Sequence, residues 1–173
     1  CLAWCFEYIH QCKASKRPIV LLKMDFTKAF DTIEHVVILK ILQFKGFDDR
    51  WNGWVSNLLS SGSSAVLLNG VPGQHFQCKC GVRQGDPLSP LLFVIAVDLL
   101  QSVVNDMCSR NILSLPIPTR SNDYPVVQYA DDTQIVLPAV DSQLIALKDM
   151  LHKFAESTCL RVNFSKPYLI PMN

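Results

Sequence analysis

Charge is scarce in this chain. Only 18% of its 173 residues are Asp, Glu, Lys or Arg, against about a quarter in an average globular domain, which excludes an intrinsically disordered segment or a solvated coil. An excess of either sign is also lacking: 16 Lys and Arg stand against 15 Asp and Glu, for a net charge of +1. A free-standing binder of nucleic acid normally carries a clear basic surplus, so this balance argues against that class. Long apolar stretches are missing too. The longest uninterrupted run, Leu91 to Val97, falls far short of the roughly 20 residues that span a bilayer, and neither a transmembrane helix nor a membrane partner is expected. The seven cysteines, at 1, 5, 12, 78, 80, 108 and 159, form no regular framework, and reduced thiols in an intracellular compartment are the default. There is no internal repeat and no low-complexity segment. The first residue is Cys1, without the basic start and apolar core of a signal peptide, as expected of a piece excised from something longer. What is plentiful is apolar side chain, 49% of the whole, enough for one domain with a substantial core but not for two.

Ile19 to Met24 is a β-prone run suited to a buried strand ending at Asp25. Asp31, three residues before Glu34, resembles a capping box, predicting a helix from near Thr32 to around Gly46 with Asp31 as N-cap. A second helix is predicted over Asp48 to Leu59. Ser63 to Leu68 and His75 to Cys80 read as a hairpin around the loop Asn69 to Gly73. A polar loop from Gly81 to Leu88 leads to Ser89-Pro90, where Ser as N-cap and Pro at the first helical position open a long core helix ending near Cys108. Asn111 to Pro125, with three prolines, is expected to be irregular apart from one short strand. Val126 to Leu137 reads as a hairpin with acids at its bend, Asp141 as the N-cap of a helix, and Leu160 to Phe164 as a last strand.

Asp25, Asp131 and Asp132 stand out because they end apolar, strand-like segments. Half-buried like charges are expensive unless a cation neutralises them. Oxygen donors with no nearby His select Mg²⁺, which keeps positions for water and substrate phosphate. That is a ligand set for two-metal phosphoryl transfer. Adjacent aspartates at a bend are also ordinary turn chemistry. His75, Cys78 and Cys80 have a superficial look of zinc ligation, but no second ligand pair is suitably spaced. Trp4, Trp51 and Trp54 read as packing residues.

The flanking residues decide between these readings. Met24-Asp25-Phe26-Thr27-Lys28-Ala29-Phe30-Asp31 resembles the first palm motif of reverse transcriptases, Arg83-Gln84-Gly85-Asp86-Pro87-Leu88-Ser89-Pro90-Leu91-Leu92-Phe93 the second, and Tyr129-Ala130-Asp131-Asp132 the third. Their order and separations fit as well, and the resemblance runs from about Ile19 to Lys166. The Arg-Gln-Gly-Asp-Pro-Leu-Ser-Pro form is similar to non-LTR (LINE-type) retrotransposons, plant ones included. Phe30 stands where viral RNA polymerases typically carry Asp, which disfavours RNA synthesis.

The resemblance implies an α+β polymerase palm, an antiparallel sheet backed by helices, with partial fingers over residues 1–173 and the thumb absent. It implies an RNA-directed DNA polymerase of retrotransposition, which joins dNTP to a DNA primer on an RNA template. The alternative is an inactive remnant of a decayed element. A domesticated, non-catalytic palm should show damaged acids, and all three are intact. Asp25 and Asp131 are then the principal ligands of two Mg²⁺ ions, with Asp132 assisting, the Phe26 carbonyl as a further ligand, and Mn²⁺ able to substitute. Phe30 matches the steric gate against a 2′-hydroxyl. Gln84 and Gly85 match the loop along the nascent base pair, and Lys166 the lysine near departing pyrophosphate. Cys159 stands where the family often has Gly, and Pro167 where it has Ser or Thr. Arg83 either touches template phosphate or is solvated. Partners implied are RNA template, DNA primer, dNTP, and the missing finger and thumb segments of a parent polyprotein; the location implied is intracellular, in nucleus and cytoplasmic ribonucleoprotein.

Overall fold

The computed structural model describes residues 2–117, 124–129, 132–163 and 168–172. In chain order the elements are α1 (Leu2–Ala14), β1 (Ile19–Asp25), α2 (Ala29–Thr32), α3 (His35–Phe44), α4 (Asp49–Ser60), the short strands β2 (Ser63–Ser64), β3 (Leu67–Leu68), β4 (Val71–Pro72) and β5 (Phe76–Gln77), then α5 (Ser89–Ser109), β6 (Val126–Tyr129), β7 (Asp132–Pro138), α6 (Asp141–Thr158) and β8 (Tyr168–Met172). Four strands form one antiparallel sheet in the order β6-β7-β1-β8. The expected class, α+β with an antiparallel sheet backed by helices, is what the chain adopts.

Period-two alternation divides the sheet into two faces. On one, Leu22, Met24, Ile135 and Leu137 meet Leu92, Phe93, Ala96 and Leu100 of α5, Ile38 and Leu42 of α3, and Leu147, Leu151 and Phe154 of α6. Burying each large side chain contributes about 1.5–3 kcal/mol, so this is the main core. On the other, Ile19, Leu21 and Val136 pack against Tyr8 and Cys12 of α1 and against Ile117. The 21-residue helix α5 reaches a mean hydropathy of 1.7 over its most apolar 18 residues, a length and composition that would cross a bilayer. Within this fold it is the central core helix, with Lys45 and Asp98 forming an ion pair on its outer side.

Several boundaries depart from expectation. The predicted helix from Thr32 is interrupted: Asp31 lies inside α2, Ile33 is extended, and α3 begins at His35 with Glu34 at its N-cap. The cause is tertiary. The Gly81 N–H donates to the Ile33 carbonyl at 2.7 Å and the His35 N–H to the Lys79 carbonyl at 3.4 Å, while Glu34 bridges Cys80. Asp31 is therefore not a cap.

The loop of the small hairpin is tighter than expected. Leu68 pairs with Val71 across Asn69-Gly70, whose φ values are +50° and +82°, so Pro72 lies in a strand, as a two-residue turn with both φ positive requires. Leu88, not Ser89, is the N-cap of α5, and Ser89 is buried in its first turn. Asp86 serves that end instead, its Oδ1 accepting from the Leu88 N–H at 2.8 Å. Asp141 is likewise one residue inside α6, whose N-cap is Val140.

Of the segment predicted as a last strand, the described residues give one bridge, Val162 to Phe26; the fourth strand is β8, paired with Ile19 to Lys23. Of the 111–125 segment, the described residues form no strand. Helix α1 was not anticipated.

Candidate active site

The β1–β7 register places Asp25 directly opposite Asp132, and Lys23 opposite Gln134. All four share the face on which α1 packs, but α1 covers only the far half, over Ile19, Leu21 and Val136. The acidic end is open. Asp25 is half-buried, and the Asp132 side chain is 51% exposed. Tyr129 pairs with Asp132 across the β6–β7 ladder. Asp131, expected at the bend of this hairpin, and Lys166 lie outside the described residues.

Two carboxylates facing each other across a ladder repel. Part of that repulsion is offset by Lys23, whose Nζ lies 3.2 Å from Asp132 Oδ1. Lys23 was not singled out from sequence, although the signal was present: a lone cation in an apolar strand, two residues before Asp25 and thus on its face. Phe26 is buried at the strand end. The two hydrogen bonds of its bridge, Asn163 N–H to the Asp25 carbonyl and Thr27 N–H to the Arg161 carbonyl, both 2.8 Å, use neither its N–H nor its C=O. Two carboxylates thus face each other at an open sheet end, oxygen donors of the kind a hard divalent cation takes; among the described residues no cluster of three or more acidic, His or Cys side chains forms.

The Phe30 ring, in α2, is half-buried and stacked on Phe93 with centroids 4.5 Å apart. The loop carrying Arg83, Gln84 and Gly85 is fastened to the Phe30 segment. The Val82 N–H donates to the Phe30 carbonyl at 2.7 Å, and His35 Nε2 donates to the Gly81 carbonyl at 2.8 Å. Gly81 has φ +80°, and a Cβ there would fall 2.9–3.0 Å from backbone atoms of Phe30 and Asp31, so only glycine permits this approach.

Gln84 Nε2 donates to Asp31 Oδ1 at 3.2 Å. Gly85 has φ +88° and open space around it. Arg83 is exposed, with its carbonyl accepting from the Asp86 N–H at 3.2 Å. Asp31, His35, Gln84 and Asp86 border a cavity of about 370 Å³ that extends toward Ser61–Ser64. Neither Asp25 nor Asp132 lines it.

The fold recurs in solved structures. Telomerase from Candida tropicalis in complex with a TWJ fragment of telomeric RNA superposes with a TM-score of 0.71 at 13% identity, over 96% of this chain and 28% of that one. The Candida albicans telomerase complex gives 0.65 at 14% identity, over 95% and 30%. The fold is therefore a polymerase palm. The sequence matches the reverse transcriptase (RNA-dependent DNA polymerase) family over residues 2–170, and the chain belongs to that family.

Among its relatives, a retrovirus-related Pol polyprotein of the type-1 retrotransposable element R2 from Popillia japonica is 28% identical over 177 residues, covering 95% of this chain. The transposon TX1 149 kDa protein of Xenopus laevis is 26% identical over 163 residues, covering 92%. The chain spans 24% and 12% of those two proteins. Reverse transcriptases as a family depend on divalent metal.

Proposed function

We propose that this chain is the catalytic palm, with part of the fingers, of an RNA-directed DNA polymerase from a LINE-type retroelement. The observation that carries the reading is the juxtaposition of Asp25 and Asp132 across one ladder at the uncovered end of the sheet. The reaction joins a primer 3′-hydroxyl to the α-phosphorus of a dNTP on an RNA template and releases pyrophosphate.

Asp25, Asp131 and Asp132, with the Phe26 carbonyl, would hold two Mg²⁺ ions, or Mn²⁺ in their place. Bound there, the pair supplies positive charge to the attacking oxygen and to the departing phosphates. Phe30 excludes a 2′-hydroxyl from the sugar site. Gln84 and Gly85 line the nascent base pair, Lys166 faces the pyrophosphate, and Arg83 the template backbone. A thumb and further finger segments come from elsewhere in a longer polyprotein, and the setting is an intracellular ribonucleoprotein.

Primer extension tests this. Asp25→Asn and Asp131→Asn should each lower Mg²⁺-dependent incorporation by more than about a hundredfold, a loss on the scale expected when a group stabilising transition-state charge is removed, with an unchanged circular dichroism spectrum. Retained extension in either variant would overturn the scheme.

A further inference from the structure

Asp31 has no helix-capping role, yet its carboxylate is engaged. Its Oδ1 accepts from Gln84 Nε2 at 3.2 Å across 53 positions of sequence. The backbones of the two segments are already joined by the Gly81–Ile33 and Val82–Phe30 hydrogen bonds and by the His35 ring on the Gly81 carbonyl. The loop therefore does not need the Asp31–Gln84 contact to stay in place.

What the contact adds is polarity. A glutamine amide has a donating and an accepting end of nearly the same shape, and a carboxylate has acceptors only. Facing Asp31, the amide must turn its NH₂ inward, which leaves Oε1 and the second N–H for partners elsewhere. Replacing Asp31 by a residue without that one-way character would free the amide to rotate.

We propose that Asp31 is a positioning residue: it fixes which way round the Gln84 amide stands and so sets how tightly the site holds a correctly paired dNTP. This rests on the reading of Gln84 as a residue of the nascent base pair. Asp31 itself touches no substrate. Its effect passes through Gln84, so removing Asp31 matters only while Gln84 is present.

The test combines single-nucleotide incorporation with an amide resonance, on the full chain. Asp31→Ala should raise KM for the correct dNTP about tenfold while kcat changes less than about twofold, the size of a hydrogen bond to a charged group. Asp31→Ala/Gln84→Ala should be no worse than Gln84→Ala alone, because groups acting through one another are non-additive. Asp31→Asn, which offers Gln84 either a donor or an acceptor, should fall between wild type and Asp31→Ala at an unchanged Tm. In ¹⁵N spectra the side-chain NH₂ pair of Gln84 should shift between wild type and Asp31→Ala.

An unchanged KM in Asp31→Ala, multiplicative losses in the double variant, or a Gln84 NH₂ pair that does not move would each overturn the inference. Asp25→Asn runs alongside as the inactive control. Should the wild type itself fail to incorporate, the polymerase reading falls, and the Gln84 resonance still decides whether Asp31 holds the amide.

Discussion

Phe30, in α2 just after β1, lays its ring on Phe93 and packs against the main core while staying half-buried. A ring so placed is rigid, since aromatic stacking adds about 0.5–1.5 kcal/mol beyond area burial, and a rigid ring can exclude a hydroxyl where a mobile one cannot. Phe30→Val should lower the dTTP-over-UTP preference by at least about tenfold, the discrimination expected from one steric contact; competitive incorporation measures it, and an unchanged ratio removes the assignment. Two glycines of the neighbouring loop make a second contrast. Gly81 combines φ +80° with backbone atoms at 2.9–3.0 Å from a would-be Cβ, whereas Gly85 has φ +88° in open space. Gly81→Ala should cost roughly 3 kcal/mol or more and Gly85→Ala about 1 kcal/mol in urea denaturation, because the first adds a clash to the conformational strain both share. Equal losses would mean that the loop is not pinned at Gly81. The residue types of the site were readable from their motifs. The place of Lys23 on the face of Asp25 was readable too, but its ion pair with Asp132 and the Asp31–Gln84 link across 53 positions were not, because they depend on which strands and loops meet.

Helix α1 is the element with the least local signature and a decisive position, closing the far half of the face that carries the acids. Tyr8 anchors it. Its hydroxyl donates to the Ile117 carbonyl at 3.2 Å and accepts from the Ile117 N–H at 3.3 Å. Burial pushes this phenol up from 10.0 to about 12, against a smaller downward pull from Ile117, and burial also pushes the Tyr124 phenol upward. Between about pH 10 and 12 the unfolded chain gives up a proton that folded Tyr8 retains, so the folded state loses stability as pH rises through that window and is unaffected by this group below it. Thermal melts from pH 9 to 12 should show that decline, less steep in Tyr8→Phe; an identical slope in the variant would show that α1 does not bury this phenol. The same reasoning explains which elements were legible. β1, α4, α5 and α6 carry their own periodicity and were found to within a few residues. The start of α3 was misplaced because pairing of residues 33–35 with 79–81 overrides a local cap. β8 was missed because Pro171, tolerable only on the edge strand it forms, reads as a strand breaker. Cys159 occupies a left-handed C-cap at φ +61°, a conformation glycine adopts more readily.

At the scale of the molecule the two faces of one sheet divide the work. One is sealed by α3, α5 and α6 and supplies most of the apolar burial; the other gives half its area to α1 and leaves the end with Lys23, Asp25, Asp132 and Gln134 uncovered. Net charge is only +1, yet like charges are concentrated at that end, where folding brings Asp25 and Asp132 opposite each other. In the unfolded chain they are 107 positions apart in sequence and repel little. The folded state alone therefore carries this repulsion, and it alone presents the paired oxygens to a cation. A ligand that binds only the folded state stabilises it by about 2.7 kcal/mol at a hundred times its Kd, which for a chain of this size is roughly 5–10 °C in Tm. Mg²⁺ should thus raise the Tm of the wild type, and Asp25→Asn should abolish the rise. Without divalent metal the order should reverse, with Asp25→Asn melting at or slightly above the wild type because the repulsion across the ladder, about 0.2–1 kcal/mol, is gone. Differential scanning fluorimetry with and without EDTA reads both halves. If Asp25→Asn melts below the wild type in EDTA, the carboxylate contributes to the fold by itself and the balance of repulsion against metal binding argued for the open end does not hold.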